Sequence, residues 1–442
     1  MPEIIVIGAG LSGLTAALQL RDAGVETLVL EAGSVPGGRI ASIRRDGAIL
    51  DTGAQFIGPR DPYTNTFALL ERIGFAGDIQ HSSNVAALVK RGKVVPYHYG
   101  SAKDFVTLPV VSLPSKVRLF AALAEIKRHA AILDFHHPER AAMLDDEDVA
   151  PYLMRLVGRD ALEHLFEPLM GVLYYYPPSG VSRGFLLSTI SGLGAVGTHC
   201  LKGGAQVLTD RLAAEVGVVT GARVRTIARK RGRWTVTWDG SKGAETADAE
   251  AVVLAVTADV AALICDTAVP SEATFLRSVK YTSFVGAAFF TNRPWGGKVY
   301  GCAIAADESS LLVGASFEQN KGADRVPADK GLSIAYLNAA ASARMMAAPD
   351  DEVAVAARAE MDRFWPGFSE STEWSIVFRH QRATPLFEPG SVKRLAAFLS
   401  RPDPTPGLFF CGDYLCGPHL EGAITSGLRA ADEILRARSP AG

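Results

Sequence analysis

Four apolar residues, Ile4-Ile5-Val6-Ile7, open the chain and stop at a glycine loop, Gly8-Ala9-Gly10-Leu11-Ser12-Gly13. A short unbroken β-branched run predicts a strand buried on both faces. After Gly13 the period changes: Leu14, Ala17 and Leu18 fall on one face of a helix that Gly24 ends. A second strand, Thr27 to Leu30, closes on Glu31. Farther along, segment 115–170 is helical in pattern, and Arg229 to Trp238 and Ala251 to Val256 read as strands. Between 281 and 390, the strands Phe284 to Phe290, Ser310 to Phe317, Leu332 to Leu337 and Trp374 to Phe378 accompany one long helix near 351–364. Near the C-terminus Leu408 to Phe410 predicts a strand running into Cys411-Gly412-Asp413, and an amphipathic helix follows Leu420 to about Arg436. The expected fold is α/β: a Rossmann-like domain, then an α+β domain with a mixed sheet and helices on one side.

Strand, glycine loop, helix, strand and terminal acid in this order are the context that gives G-x-G-x-x-G its meaning. Gly8 turns the chain, Gly10 lets a pyrophosphate approach the backbone, and Gly13 lets helix and strand pack closely. Leu11 and Ser12 begin the helix whose N-terminus faces the phosphates, and Glu31, followed by Ala32, is placed to accept hydrogen bonds from ribose hydroxyls. An acid there repels a 2′-phosphate. A second match, Gly192 to Gly197, lacks both a preceding strand and a good helix start, and reads as a flexible loop.

Three further segments point to FAD rather than NAD. Gly37-Gly38-Arg39 offers close backbone approach and a guanidinium able to pair with a phosphate. Asp51-Thr52-Gly53-Ala54-Gln55-Phe56 follows, and near the end come Gly412-Asp413 and Glu421-Gly422-Ala423. Together these segments resemble the flavin amine oxidase superfamily of monoamine and polyamine oxidases, protoporphyrinogen oxidase and carotenoid desaturases, over nearly the whole chain. The resemblance implies that Asp413 binds the ribityl or pyrophosphate region and that Gly422-Ala423 start a helix facing the isoalloxazine. It also brings the backbone of Val224 to the adenine, and Gly203-Gly204 to the entry of a helix that returns the chain to the FAD domain. The implied division is an FAD-binding domain from 1–80, 201–265 and 400–442 and a substrate domain from 81–200 and 266–399. Phe166 to Tyr174 resembles the protoporphyrinogen oxidase and desaturase branch more than the monoamine oxidases.

The same resemblance frames the chemistry. Members with covalent flavin carry a cysteine in the stretch matching Arg382 to Phe387; none stands there, so FAD is expected to be held non-covalently. Many amine-oxidising members place a lysine on the strand matching Phe284 to Phe290, where this chain has Val285, Gly286 and Ala287, and Lys280 is out of register. Where some carry a cage aromatic stands His419, the best catalytic candidate, read as a general base. Gln55, Phe56, Tyr174, Tyr175 and Tyr176 are candidate pocket residues. Arg379, His380 and Arg382 form a basic cluster that either anchors a substrate carboxylate or lies on a solvated strand edge, and the pair His136-His137 reads as surface. The expected activity removes hydride from a small or medium organic substrate to flavin N5, at a C–N or C–C bond, with dioxygen as acceptor. The alternative is a protoporphyrinogen oxidase or carotenoid-type desaturase or isomerase acting on a lipophilic substrate.

Composition narrows the partners. The 442 residues suit more than one domain. Lys plus Arg number 45 against 47 Asp plus Glu, so no global field recruits nucleic acid. No run of about 18 uncharged apolar residues predicts a membrane span. A cytoplasmic protein, monomer or homodimer, is expected, with membrane contact limited to the periphery through apolar helices near 105–125. Five scattered cysteines without a CxxC pair argue against disulfides and a zinc site, and no metal is expected.

Overall fold

The computed structural model describes residues 2–192, 197–241, 243–402 and 404–438. The opening run Ile4–Ile7 is the central strand of a five-stranded, wholly parallel sheet. Thr27–Leu30 and then Val218–Val219 lie on one side of it, and Ala251–Leu254 and Leu408–Phe410 on the other. Its residues alternate between two cores. Ile4, Val6, Val29 and Val253 pack on helices Leu11–Asp22, Gln206–Val216 and Leu420–Arg438. Ile5, Ile7, Leu30 and Leu254 pack on a three-stranded antiparallel layer and on helix Ala258–Cys265. Burial on both faces explains why the strand reads as a continuous apolar run.

That antiparallel layer corrects one expectation. Arg229 to Trp238 is not one strand: Arg223–Lys230 and Arg233–Gly240 form a hairpin turning at Arg231 and Gly232, both at positive φ. The second large sheet has seven strands in the order Thr372–His380, Phe284–Thr291, Gly331–Leu337, Leu312–Phe317, Val299–Ala303, Val85–Lys90, Lys93–His98. It is mixed, with one parallel pair between Val299–Ala303 and Val85–Lys90. Phe289, Phe317 and Leu337 bury one face under helix Asp350–Phe364. Phe284, Phe290 and Tyr336 turn the other face towards Ala48, Leu50 and Tyr175.

The helical segment is broken into Leu113–His129, Val149–Leu156 and a run from Arg159 to Tyr174. Most of the second glycine motif, residues 193–196, lies outside the described residues. Among the described residues no helix is long and apolar enough to cross a membrane.

Candidate active site

The glycine loop has the geometry its residues require. Gly8 has φ +105°, and a Cβ there would meet the Ala255 carbonyl at 2.6 Å. At Gly13 a Cβ would sit 2.1 Å from the Gly8 carbonyl oxygen, so this glycine is needed for packing. Gly10 differs: a Cβ there would meet nothing within 4 Å, so the space beside it is open. Gly10 is the N-cap of helix Leu11–Asp22, which has no side-chain cap and no acid in its first turn. The uncapped amides at Leu11 and Ser12 therefore present a positive helix end to that open space. Such a cradle fits a pyrophosphate.

Beside the loop, Glu31 accepts hydrogen bonds from the backbone amides of Ala9 (2.8 Å) and Gly33 (2.7 Å), which fix its carboxylate there. The Ala222 amide donates to the Glu31 carbonyl at 2.8 Å, bringing the chain before Val224 alongside Glu31 and Ala32; Val224 is buried and paired with Trp238. Gly37 bridges to Gly10, and Gly38, at φ +60°, follows it. Arg39 comes next. Both terminal nitrogens of its guanidinium bond Asp413, each at 2.8 Å, and one also donates to the Ala383 carbonyl at 3.0 Å. The two residues expected to meet the cofactor separately are thus one ion pair tying the first strand-loop unit to the last strand. Gly412 is held by its amide to Ser426 Oγ at 2.8 Å.

Beyond Arg39 the backbone turns at Gly53, whose Cβ would overlap the Arg39 carbonyl at 1.7 Å, and the Ala54 amide donates to that same carbonyl. Ala54, Gln55 and Phe56 line a hollow with Leu420, Cys200, Asp51 and Arg325. Gln55 Nε2 donates to the Asp51 carbonyl at 2.8 Å. Beneath lies a feature with no clear sequence signal, a buried ionic cluster. Asp51 takes Lys321 Nζ at 2.8 Å and Arg325 at 3.0 Å, and Lys321 also meets Glu318 at 3.2 Å. Burial acts to raise the Asp51 carboxyl, but the two cations outweigh it and hold it below the usual carboxylate range. Asp51 Oδ1 also accepts from Ser42 Oγ and the Ala205 amide, fastening the flank of the hollow to the helix entry at Gly203-Gly204.

Helix Leu420–Arg438 ends the path. Gly422 is forced by a Cβ overlap of 2.4 Å with the Gly417 carbonyl, and Gly427 by one of 2.3 Å with the Ser12 carbonyl, so this helix packs tightly on Leu11–Asp22. Ala423 lies in its first turn. His419 sits just before it. The Gly422 amide can only donate, so His419 Nδ1 accepts at 2.8 Å and the proton lies on Nε2. Burial pushes this imidazole down to about 4, and it is neutral at ordinary pH. The expected general base is therefore recast: its lone pair is spent on the helix cap, and the proton it keeps is on Nε2. Phe135 stacks on it with centroids 4.4 Å apart and planes at 15°, and Tyr63 stands 5.9 Å from both rings.

The tyrosine run divides. Tyr175 stacks on Phe284 at 4.0 Å and Tyr176 is buried in the core, so both serve packing; Tyr174 stacks on Tyr176 at 5.7 Å. The basic cluster does not converge: Arg379 pairs with Asp350, His380 bonds the Thr52 carbonyl, and Arg382 pairs with Asp259. Lys280 is an exposed charge paired with Glu388. His136 is not surface as expected, because its Nε2 reaches the fully buried Glu421 at 2.8 Å. Burial pushes the Cys416 thiol up to about 12 and raises Cys411 too, which removes thiolate chemistry. Among the described residues no group of three or more His, Cys, Asp or Glu side chains could hold a metal.

Residues 11–435 match the model of the flavin containing amine oxidoreductases. Protoporphyrinogen oxidase 2, chloroplastic/mitochondrial, of Arabidopsis thaliana is 22% identical over 98% of this chain and 94% of its own length. Among solved structures, putrescine oxidase bound to putrescine superposes with a TM-score of 0.80 at 20% identity, covering 98% of this chain and 99% of that one. Cyclohexylamine oxidase from Brevibacterium oxydans IH-35A gives 0.78 at 20% identity, covering 99% of each. At such identities these two likenesses speak for the fold.

Proposed function

The chain belongs to the flavin-containing amine oxidoreductase family, and from that premise we propose that it is an FAD-dependent oxidase that takes hydride from a small or medium organic substrate. One observation carries the reading. Glu31, the open Gly10 cradle, the Arg39–Asp413 pair, the Ala54-Gln55 turn and the start of helix Leu420–Arg438 follow one another along a single path. That is the order in which an extended FAD needs a ribose acceptor, phosphate donors, a ribityl anchor and a positive helix end beside the ring.

When bound, FAD supplies the hydride acceptor at N5 and passes the electrons to dioxygen. The chain's residues orient the substrate and exclude water. His419 Nε2–H donates to a substrate heteroatom and Phe135 shields the ring that holds it. No cysteine stands between Arg382 and Phe387, which supports non-covalent attachment. The flavin domain is assigned to 1–80, 201–265 and 400–442, the substrate domain to 81–200 and 266–399, and the location to the cytoplasm. The test is anaerobic mixing of holoprotein with amines, amino acids and porphyrinogens; bleaching of the flavin band by one of them is expected, and none by any member of the three classes refutes oxidation of those classes.

A second reading, a lipophilic substrate, is favoured by one surface. Leu113, Val117, Phe120 and Leu123 are each more than half exposed along helix Leu113–His129, with Val106 just before it, while Ser115 and Lys116 of the same helix are buried. Such an outward apolar stripe suits peripheral contact with a bilayer. Flotation with liposomes is expected on this reading, and a protein that stays at the bottom of the gradient refutes it.

A further inference from the structure

At the start of the last helix, one contact joins segments nearly three hundred residues apart. Glu421, in the first turn of helix Leu420–Arg438, has a carboxylate with no solvent exposure. It accepts from the amides of Asn65 (2.9 Å) and Thr66 (2.7 Å) and from Thr66 Oγ1 (2.6 Å), and His136 Nε2 meets it at 2.8 Å. His136 belongs to a tight turn in which Asp134 Oδ1 accepts from the amides of His136 and His137. Arg429, two turns down the same helix, donates to the His136 carbonyl at 3.2 Å. The turn is thus fastened to the helix at two levels, and the residue between the fastenings and Asp134 is Phe135. Its ring lies flat on His419, and Gly192 and Pro62 pack close by, since a Cβ on Gly192 would meet Phe135 at 2.7 Å and Pro62 at 3.0 Å.

We infer that His136 is a positioning residue: by clasping Glu421 it holds Phe135 against His419, and so fixes the plane and the dryness of the ring that faces the substrate. The inference rests on the reading of His419 as a site residue. Three things follow from the geometry. The His419 ring has its rotation set by the Gly422 amide on one edge and by the Phe135 stack on one face. Removing the clasp frees the turn to lift Phe135, which admits water to that face. Water there relieves the desolvation that keeps His419 neutral.

The charged groups around the clasp support this order of events. His136 is raised by its bond to Glu421, against burial, with Asp134 adding to it. Burial works to raise Glu421, yet His136, Thr66 and Asn65 hold it below the usual carboxylate range, so the pair is ionic. Facing His419 are Glu421, which favours its protonation, and His136, which opposes it, and both are outweighed by burial. Tyr63 beside it is pushed up by burial and stays neutral.

The experiment is a histidine-selective nitrogen-15 NMR titration of the protein as purified, with the His419 signal assigned by its loss in His419→Asn. Wild type is expected to hold His419 neutral until pH about 4, and His136→Gln, which keeps an N–H donor towards Glu421, to show only the rise that loss of the His136 charge gives. His136→Ala, which loses the donor as well as the charge, is expected to raise its midpoint by about one unit or more beyond His136→Gln, towards the ordinary value near 6.5. Phe135→Ala removes the stack but keeps the clasp, so it predicts the same rise and decides the matter if His136→Ala does not fold. An unchanged His419 midpoint in folded Phe135→Ala, or a midpoint in folded His136→Ala no higher than in His136→Gln, overturns the inference. The readout needs neither substrate nor turnover, so a failed oxidase test leaves it standing.

Discussion

Gly10 and Gly13 are both glycines of one motif, but the structure gives them different work, and alanine at each separates ligand binding from folding. At Gly13 the new methyl would stand 2.1 Å from the Gly8 carbonyl oxygen and 2.8 Å from Ala255 Cβ, both on rigid elements. Helix and strand must separate by more than an ångström, an overpacking expected to cost about 1–3 kcal/mol or more. At Gly10 the methyl meets nothing within 4 Å, and φ is −74°, which alanine adopts freely. The lost backbone entropy of the unfolded chain favours alanine by about 0.4–1 kcal/mol, while alanine is the poorer N-cap by a similar amount, so stability should change by less than about 1 kcal/mol. That same methyl fills the approach to the helix amides, and loss of two charge-assisted bonds there, at about 1.5–3 kcal/mol each, weakens FAD by at least tenfold. Thermal melting of apoprotein and flavin-fluorescence titration with FAD measure the two quantities. Gly10→Ala should melt with wild type and bind FAD poorly; Gly13→Ala should melt early. A Gly10→Ala protein that binds FAD as wild type does would refute the assignment of the cradle.

Three other outcomes are expected. Asp51→Ala leaves Lys321 and Arg325 buried with one anion, Glu318, and should lower stability by about 3–5 kcal/mol, read as a fall in the urea midpoint. Arg39→Gln removes the guanidinium from Asp413 and the cofactor path and should weaken FAD about 10- to 100-fold, equivalent to roughly 1.5–3 kcal/mol, measured by equilibrium titration of apoprotein. His419 is depressed to about 4 by burial, so between pH 4 and the unfolded value near 6.5 the unfolded chain binds the extra proton. Its contribution is fully present above about 6.5 and lost as pH falls towards 4, at most about 3 kcal/mol and less for the ring's residual solvent access. The stability difference between wild type and His419→Asn, whose side-chain oxygen keeps the acceptor for Gly422, should therefore grow as pH rises through that window; a flat difference refutes the buried neutral state.

What the sequence disclosed follows from where the physics is local. The strand, glycine loop and helix at 4–22 are legible because turn geometry, close packing and helix capping act within a few residues. Lys93–His98 was not legible: it is an edge strand, little buried and interrupted by Pro96, and Val85–Lys90 is alanine-rich. The hairpin at Arg231-Gly232 does carry a local signal, a glycine within the charged run Lys230 to Arg233 that separates two alternating strands. Arg39 and Asp413 were both marked, but their pairing joins positions 374 apart and no local pattern encodes it. The Asp51–Lys321–Arg325 cluster and the His136–Glu421 clasp lie wholly in tertiary contacts. His136 read as surface because its neighbours in sequence are charged, while the partner that buries it is on the last helix.

The path from Glu31 to His419 is tested most directly by what it holds. Purified protein should be unfolded in denaturant and filtered, the flavin in the filtrate identified and counted, and the mass of the retained chain measured. One FAD per chain in the filtrate, with a chain of unmodified mass, is the predicted result. A filtrate without FAD, or a chain heavier by the mass of a flavin, would contradict it.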